Sequence, residues 1–164
     1  MRPGSIILGI DPGLDGALAF YTPSTGSLDV LDMPTLQLKK RVIDEYQFAR
    51  LIDERAKDIA EAWLEQVATR PGEGAVGAFA FGRGYGFIRG VLAANFIPIR
   101  DVTPAVWKKA SRLTGLPKDA SRGRASELFP RHCGLFSRKK DDGRSDAVLI
   151  AHYGATHRIK EGAQ

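Results

Sequence analysis

Short apolar runs separated by turn signals fill the first part of the chain. They cover residues 5–11, 17–23 and 27–34. Pro-Gly and Asp-Gly pairs lie between the first two runs, and the segment STGS leads into the third; such sequences favour tight turns. Apolar runs of this length bounded by turns predict β-strands. Because the connections are tight, we expect the three strands to form an antiparallel meander.

Helical periodicity begins near residue 43. Apolar residues recur at three- and four-residue spacing from Ile43 to Lys57, which predicts an amphipathic helix. Residues 59–67 allow two interpretations: their Ala and Glu favour a helix, whereas the Gly- and Pro-rich stretch that follows also allows a strand ending near Glu65. Residues 78–96 predict a helix with one face of mainly small residues. That face contains Phe79, Gly82, Gly86, Gly90 and Ala93.

The rest of the chain predicts one more strand and three helices. The strand covers 97–104, with Thr103 as the N-cap of the helix that follows it. A short helix lies within 121–132, and the last helix begins near Gly143. Three antiparallel strands followed by strand–helix units predict an α/β fold, a mixed five-stranded sheet flanked by helices. No internal repeat or interior linker interrupts the chain, so residues 1–164 are expected to form a single domain.

Composition and cysteine content indicate a soluble protein of a reducing compartment. With 164 residues, 43% hydrophobic and 26% charged, the chain is long enough to bury a core without disulfides. Cys133 is the only cysteine, so no internal disulfide can form. The sequence has no apolar run of about 18 residues, as a membrane span requires, and the apolar run near residue 6 is too short to predict a signal peptide. We therefore expect a cytoplasmic protein without membrane association.

Basic residues are concentrated in the second half of the chain. The net charge is +5, and residues 83–140 contain 13 Lys and Arg against three Asp and Glu. This distribution indicates an acidic partner such as nucleic acid, although a solvated basic surface would have the same composition. The candidates for phosphate contacts are Lys108, Lys109, Arg122, Arg124, Lys139 and Lys140.

Acidic residues at the ends of apolar segments indicate a metal site. Asp11 ends the first predicted strand, where an unpaired carboxylate is costly to bury, and Glu65 ends another apolar segment. Asp142 and Asp146 are four residues apart, which places both on one face of the last helix. Carboxylate clusters suit Mg²⁺, and two such ions can promote the in-line hydrolysis of a phosphodiester.

Each of these residues also has a purely structural interpretation. Asp11 could form a turn with the Pro-Gly that follows it, and Glu65 could face solvent on a helix. Asp142 could cap the last helix while Asp146 interacts with its dipole. The spacing of His and Cys does not indicate zinc. The joint pattern of acidic residues at strand and helix ends, in a chain with a basic second half, favours a nuclease.

Four segments together resemble one known family. GIDPGLDGALAFY, LEQVATRPGEGAVGAFAFGRGYGFIRGVL, IPIRDVTPAVWKKA and KKDDGRSDAVLIAHYG are similar, in order, to segments of the RuvC-type Holliday junction resolvases, and especially of their compact phage-type members. That family has the ribonuclease H-like fold. The resemblance makes Asp11 a ligand shared by two metal ions, Glu65 a ligand on the fourth strand, and Asp142 and Asp146 the carboxylates of the final helix. It also favours a strand for 59–67.

The activity that the resemblance implies is Mg²⁺-dependent, symmetric nicking of four-way DNA junctions. Two Mg²⁺ would bind per active site, with Mn²⁺ as a substitute, in a homodimer within a bacterial or phage-infected cell. The helix 78–96 is a candidate interface, with packing on the sheet as the alternative. Flap, single-strand and RNA–DNA hybrid nucleases, or a non-catalytic nucleic-acid-binding protein, remain alternative functions. The sugar kinases that share a similar first loop need a longer, two-lobed chain.

The sequence departs from the family pattern at two places. Better-known members separate the last two acidic residues by three positions, where this chain has Gly143. Asp142 is therefore expected to replace that ligand, with Asp141 as a rival. An aromatic residue that stacks on junction bases is also missing just after Glu65, which leaves Phe79 or Tyr85 as candidates for stacking. Trp107 is expected to belong to the core or to dock a helix, with base stacking as the alternative.

Overall fold

The computed structural model describes residues 5–68, 74–117 and 119–161. The strands are β1 (Ile6–Asp11), β2 (Ala17–Thr22), β3 (Ser27–Asp32), β4 (Thr35–Gln37), β5 (Arg41–Ile43), β6 (Ile59–Glu65) and β7 (Ile99–Val102). The α-helices are α1 (Glu45–Asp53), α2 (Ala75–Ala94), α3 (Pro104–Ala110), α4 (Ala120–Leu128) and α5 (Asp142–Glu161). The 3₁₀ segments Pro130–Phe136 and Lys139–Asp141 connect α4 to α5.

The main sheet has five strands in the order β3-β2-β1-β6-β7. β1, β2 and β3 pair antiparallel, whereas β6 pairs parallel with both β1 and β7. This confirms the predicted mixed sheet and its antiparallel meander. The ambiguous segment 59–67 contains β6, a strand whose residues are mostly buried. For this segment the family resemblance predicted a strand correctly, whereas composition left helix and strand open.

The small hairpin formed by β4 and β5 was not predicted. Each strand has only three residues, and Leu36 is 43% exposed, so the hairpin lacks the buried alternation that marks longer strands. Ile43 belongs to β5 and not to the helix that follows. The helix begins at Glu45 because the carboxylate of Asp44 accepts a hydrogen bond of 3.0 Å from the backbone N–H of Gln47, as an N-cap does.

Close packing of α5 on the sheet depends on Gly9 in β1. A methyl group at Gly9 would overlap the carbonyl oxygen of Ala147 and would come within 2.8 Å of the side chain of Ala151. The buried run 147–151 of α5 consequently lies directly against the central strand. α1 and α2 cover the other face of the sheet through a second apolar cluster that includes Phe48 and Ile88.

The small-residue face of α2 does not pack on the sheet. A methyl group added at Gly82, Gly86 or Gly90 would meet no atom within 4 Å, and the helix buries Ile88 and Leu92 instead. The small-residue face therefore remains open to solvent in the monomer. No described helix, α2 included, combines the length and the apolarity that a membrane crossing requires.

Gly9→Ala is expected to lower the free energy of unfolding by about 2 kcal/mol or more, because the added methyl overpacks the contact with α5. Gly123→Ala is the matched control, since Gly123 lies in the middle of α4 with open space around it. The control is expected to raise stability by about 0.5–1 kcal/mol. Urea unfolding of both variants measures the difference. Equal stability of Gly9→Ala and wild-type protein would contradict the packing described here.

Candidate active site

Two carboxylates meet at the carboxyl ends of neighbouring strands. Asp11 ends β1 and Glu65 ends β6, and the parallel register pairs Ile10 with Leu64 directly before them. Side chains alternate along a strand, so Asp11 points to the same face as Gly9, the face covered by α5. Glu65 points to that face as well, because it lies two residues after Trp63, which packs in the same cluster as α5.

The start of α5 brings Asp142 and Asp146 to the same edge of the sheet. Gly143 allows this approach, since a methyl group there would overlap the backbone of Asp15 and come within 2.8 Å of the Cα of Gly16. The turn between β1 and β2 therefore lies directly against the first turn of α5. An acidic side chain at position 143 would overlap this turn, which gives a steric reason for the glycine found there.

An open cavity of about 980 Å³ lies at this edge. All four predicted carboxylates line it, together with three predicted basic residues, and it lies where β1 and β6 end and α5 begins. These lining residues are Asp11, Glu65, Asp142, Asp146, Lys108, Lys139 and Lys140. The structure thus brings together residues that are far apart in the sequence.

Asp146 is the most perturbed of the four carboxylates. Its Oδ1 atom is buried and has no hydrogen-bond partner within the described part of the chain. Burial raises the pKa of Asp146 to about 7, and the negative charges of Asp11 and Glu65 act in the same direction. A hydrogen bond with Ser121 and the charge of Lys108 oppose the rise. An isolated carboxylate in this position carries a large desolvation cost when it is ionised.

Asp11 and Glu65 are each held by a neighbouring donor. The backbone N–H of Gly13 donates to Oδ1 of Asp11 over 3.2 Å, so Asp11 does help to form the turn. The indole N–H of Trp107 donates to Oε1 of Glu65 over 2.9 Å. Glu65 is half-buried at the end of a strand, and the alternative of a solvent-facing helical residue is wrong.

Asp141 and Asp142 have different environments. Asp141 is 1% exposed, accepts hydrogen bonds from the backbone and guanidinium of Arg138, and does not line the cavity. Burial opposes its ionisation, but the hydrogen bonds from Arg138 outweigh this effect and lower the pKa of Asp141. Asp142 lines the cavity, and its Oδ1 accepts a hydrogen bond of 2.9 Å from Arg122. The geometry favours Asp142 over Asp141 as the candidate ligand.

Only three of the six predicted phosphate-binding residues line the cavity. Lys108, Lys139 and Lys140 line the cavity, whereas Lys109 is exposed on α3 outside it. The two arginines of α4 make contacts within the protein. Arg122 pairs with Asp142, and the guanidinium of Arg124 donates to the carbonyl of Ser111 and to Glu127, over 3.1 Å and 2.8 Å.

The donor set fits a hard divalent cation. Across residues 5–68, 74–117 and 119–161, no three His, Cys, Asp or Glu side chains are arranged to hold a metal ion as they stand. The four carboxylates that line the cavity nevertheless offer only oxygen donors. One of them, Asp146, contributes a buried oxygen that lacks a hydrogen-bond partner among the described atoms. A cation here would offset the burial of the Asp146 charge, which raises its pKa, and the added repulsion from Asp11 and Glu65. The residues therefore suit Mg²⁺ better than zinc.

Sequence reasoning did not assign Trp107, Ser121 or Gly143 to the site. Trp107 was expected in the core, and it is fully buried there, but its N–H also reaches Glu65. The sequence signals near it were the adjacent Lys108 and Lys109 and the segment IPIRDVTPAVWKKA that carries part of the resemblance. Ser121 and Gly143 have no local signature, because their roles come from the packing of α4 and α5 against other elements.

Two solved structures of RuvC are similar to this chain over nearly its whole length. RuvC from Thermus thermophilus in complex with a Holliday junction substrate matches over 96% of each chain, at 15% identity and a TM-score of 0.56. Thermus thermophilus RuvC alone matches over 93% of this chain and 96% of its own, at 16% identity and a TM-score of 0.58. This chain has the ribonuclease H-like fold of RuvC. The fold that the resemblance implied is thereby confirmed.

A eukaryotic resolvase is also similar in structure. The yeast mitochondrial Holliday junction resolvase matches over 92% of this chain and 78% of its own, at 17% identity and a TM-score of 0.50. Neither a protein-family model nor a curated protein matches the sequence. At these identities the comparisons show that this chain and its structural neighbours share a fold. The roles of individual residues are inferred from the geometry of this chain.

The raised pKa of Asp146 makes the stability of the metal-free protein depend on pH. Because the folded protein retains a proton that the unfolded chain releases, the contribution of Asp146 to stability falls as pH rises from about 4 to about 7. Asp146→Asn removes this contribution. In the presence of chelator, the variant is expected to exceed wild type by a few kcal/mol near pH 8, given about 1.4 kcal/mol per pKa unit.

Urea unfolding of both proteins between about pH 4 and pH 8 checks this prediction. Asp32 and Asp141 have lowered pKa values and give a slope of the opposite sign, so the difference between the two proteins is the relevant quantity. A difference that does not change with pH would show that Asp146 titrates normally.

Proposed function

We propose that this chain is a divalent-metal-dependent endonuclease that resolves four-way DNA junctions. The observation that carries this proposal is the convergence of Asp11, Glu65, Asp142 and Asp146 on one cavity. The cavity lies at the carboxyl ends of parallel strands, where ligands bind in open α/β sheets. One structural neighbour holds a Holliday junction substrate and another is a Holliday junction resolvase, which supports this choice among phosphodiester substrates.

The four carboxylates would hold two Mg²⁺ ions, with Mn²⁺ able to substitute. When bound, the ions supply Lewis-acid stabilisation of the phosphate and activation of a water nucleophile. Asp146 provides a buried oxygen of the donor set, and Glu65 accepts a hydrogen bond from Trp107. Asp142 stands beside Arg122 and shares its carboxylate with that guanidinium.

The lysines of the cavity would position the DNA backbone. Lys139 and Lys140 are exposed just before α5, and Lys108 approaches from α3. Contacts of this kind orient the phosphates without reading the base sequence. They also make binding weaker as the salt concentration rises, because phosphate contacts release counterions.

Symmetric cleavage of a junction requires two active sites, and a C₂ homodimer provides them. The exposed small-residue face of α2 is the candidate interface. Val76 and Phe79 near the start of this helix are 73% and 75% exposed, and the glycines after them would allow another backbone to approach closely. Val76 and Phe79 are three residues apart on the helix, so their exposed side chains lie next to each other at one end of this face.

Asp11→Asn and Asp146→Asn are each expected to reduce Mg²⁺-dependent cleavage of a synthetic four-way junction by more than about 100-fold. The loss of a direct ligand should exceed the roughly 10- to 100-fold effect of changing a residue behind a ligand. Asp53→Asn, at the exposed end of α1, is the control and should cleave normally. Product analysis on denaturing gels measures the rates.

Linear duplex, flap and RNA–DNA hybrid substrates distinguish the alternatives in the same assay. Preference for the four-way junction supports the proposal. Equal cleavage of duplex and junction would retain a nuclease but reject a resolvase. Normal activity of the Asp11 and Asp146 variants would reject the site itself.

Gly86→Glu is expected to dissociate the dimer, because each of the two subunits would then carry a bulky, negatively charged side chain on the small-residue face of α2. Gly123→Glu, at an equally open position on α4, is the control and should leave the dimer intact. Analytical ultracentrifugation determines the mass of each variant. A wild-type monomer at micromolar concentration would contradict a stable dimer and favour an asymmetric substrate.

A further inference from the structure

The indole of Trp107 reaches the candidate metal site from inside the core. Trp107 lies in α3, is 0% exposed, and donates its N–H to Oε1 of Glu65 over 2.9 Å. We propose that Trp107 is a positioning residue that fixes the orientation of the Glu65 carboxylate toward the cavity. The inference rests on the proposed function, since it concerns how that metal site is organised.

The fold holds both partners of this hydrogen bond rigidly. The backbone N–H of Gln66 donates to the carbonyl of Val102 over 2.8 Å, which joins the end of β6 to the end of β7. α3 begins two residues after Val102, so Trp107 returns to Glu65 after a single helical turn. An indole has only one donor, and close packing leaves the ring no second orientation. The main chain next to Glu65 is therefore fixed to β7, and the carboxylate of Glu65 is held by the indole of Trp107.

A second buried tryptophan makes the same kind of hydrogen bond to a glutamate, so the bond alone does not indicate a function. Trp63 donates its indole N–H to Oε1 of Glu61, also over 2.9 Å. Buried tryptophans normally find an acceptor, so both pairs satisfy a structural requirement. The difference lies in the carboxylates. Glu61 is 6% exposed and does not line the cavity, whereas Glu65 lines it together with Asp146.

The residue after Trp107 connects the same ring to the basic part of the cavity. The Nζ atom of Lys108 lies 5.3 Å from the centre of the Trp107 ring, within the range of a cation–π interaction. Lys108 lines the cavity, and its charge opposes the rise in the pKa of Asp146 that burial causes. One rigid side chain thus sets the position of a metal-binding carboxylate at its N–H and of a lysine at its face.

Loss of the indole N–H should weaken metal binding while the fold is retained. Groups that orient metal ligands typically contribute a factor of about 10 to 100 in metal affinity or activity. We expect Trp107→Phe to raise the Mg²⁺ concentration for half-maximal junction cleavage at least about 10-fold. The matched control, Trp63→Phe, removes the other indole N–H and should leave this concentration unchanged. Urea unfolding of both variants shows how much each loses in stability.

The indole N–H signals give a readout that does not require activity. The chain has only two tryptophans, so the ¹⁵N-labelled protein gives two indole signals, which the Phe variants assign. Glu65→Gln is expected to shift the Trp107 signal upfield, because a neutral acceptor makes a weaker hydrogen bond than a carboxylate. Glu61→Gln should instead shift the Trp63 signal. Addition of Mg²⁺ to wild-type protein should move the Trp107 signal more than the Trp63 signal.

The outcomes separate this inference from the proposed function. If Mg²⁺ moves the Trp107 signal but Trp107→Phe keeps the wild-type Mg²⁺ dependence of cleavage, the positioning role is rejected and the nuclease proposal stands. A Trp107 signal that does not respond to Glu65→Gln also rejects the positioning role. If Mg²⁺ moves neither signal and the junction is not cleaved, the metal site itself is rejected.

Discussion

Three glycines determine how closely α5 approaches the rest of the protein. Gly9 admits the middle of the helix to β1, Gly143 admits its first turn to the β1–β2 turn, and a side chain at Gly154 would overlap the ring of Trp63. At each of these three glycines a methyl group would overlap the neighbouring residue. The depth of Asp146 in the cavity follows from this packing, because the helix cannot move outward without opening all three contacts. The site therefore depends on the tightest part of the core.

The same packing creates an electrostatic problem at the edge of the sheet. Asp146 is brought next to Asp11 and Glu65, and its charge is partly removed from water. The neighbouring positive groups compensate only partly, since Arg122 pairs with Asp142 and Arg138 with Asp141. Such an arrangement lowers stability in the absence of a cation and favours cation binding. It is the kind of local conflict between stability and activity that functional sites commonly contain.

Much of this fold could be predicted from the sequence, because the main elements carry strong local signals. The meander, the helices α1 and α2 and the acidic start of α5 follow from apolar periodicity and turn residues. The strand β6 required the family resemblance, since Ala and Glu in 59–67 equally suit a helix. The hairpin of β4 and β5 could not be predicted, because its exposed three-residue strands bury too little surface to leave a pattern.

The candidate site was predictable in its carboxylates but not in the groups that hold them. Asp11 and Glu65 stand out because a charge at the end of an apolar strand is costly. The choice of Asp142 over Asp141 required coordinates, since adjacent aspartates differ only in the direction of their side chains. The contacts of Arg122 and Arg124 also required tertiary structure, because a guanidinium has the same sequence signature whether it binds DNA or a carboxylate. Metal binding by these residues stays a prediction.

Gly143 has a further consequence for the way such proteins are recognised. It occupies the position where better-known resolvases have an acidic residue, and its contact with Asp15 leaves no room for a side chain. The acid can move to position 142 because residues three and four apart share one face of a helix. A sequence pattern that fixes the spacing of the last two acids will therefore pass over a protein whose carboxylates still converge. The carboxylates still line one cavity despite this one-residue exchange. The arrangement of carboxylates in space is therefore a better criterion than their spacing in the sequence for finding distant proteins of this architecture.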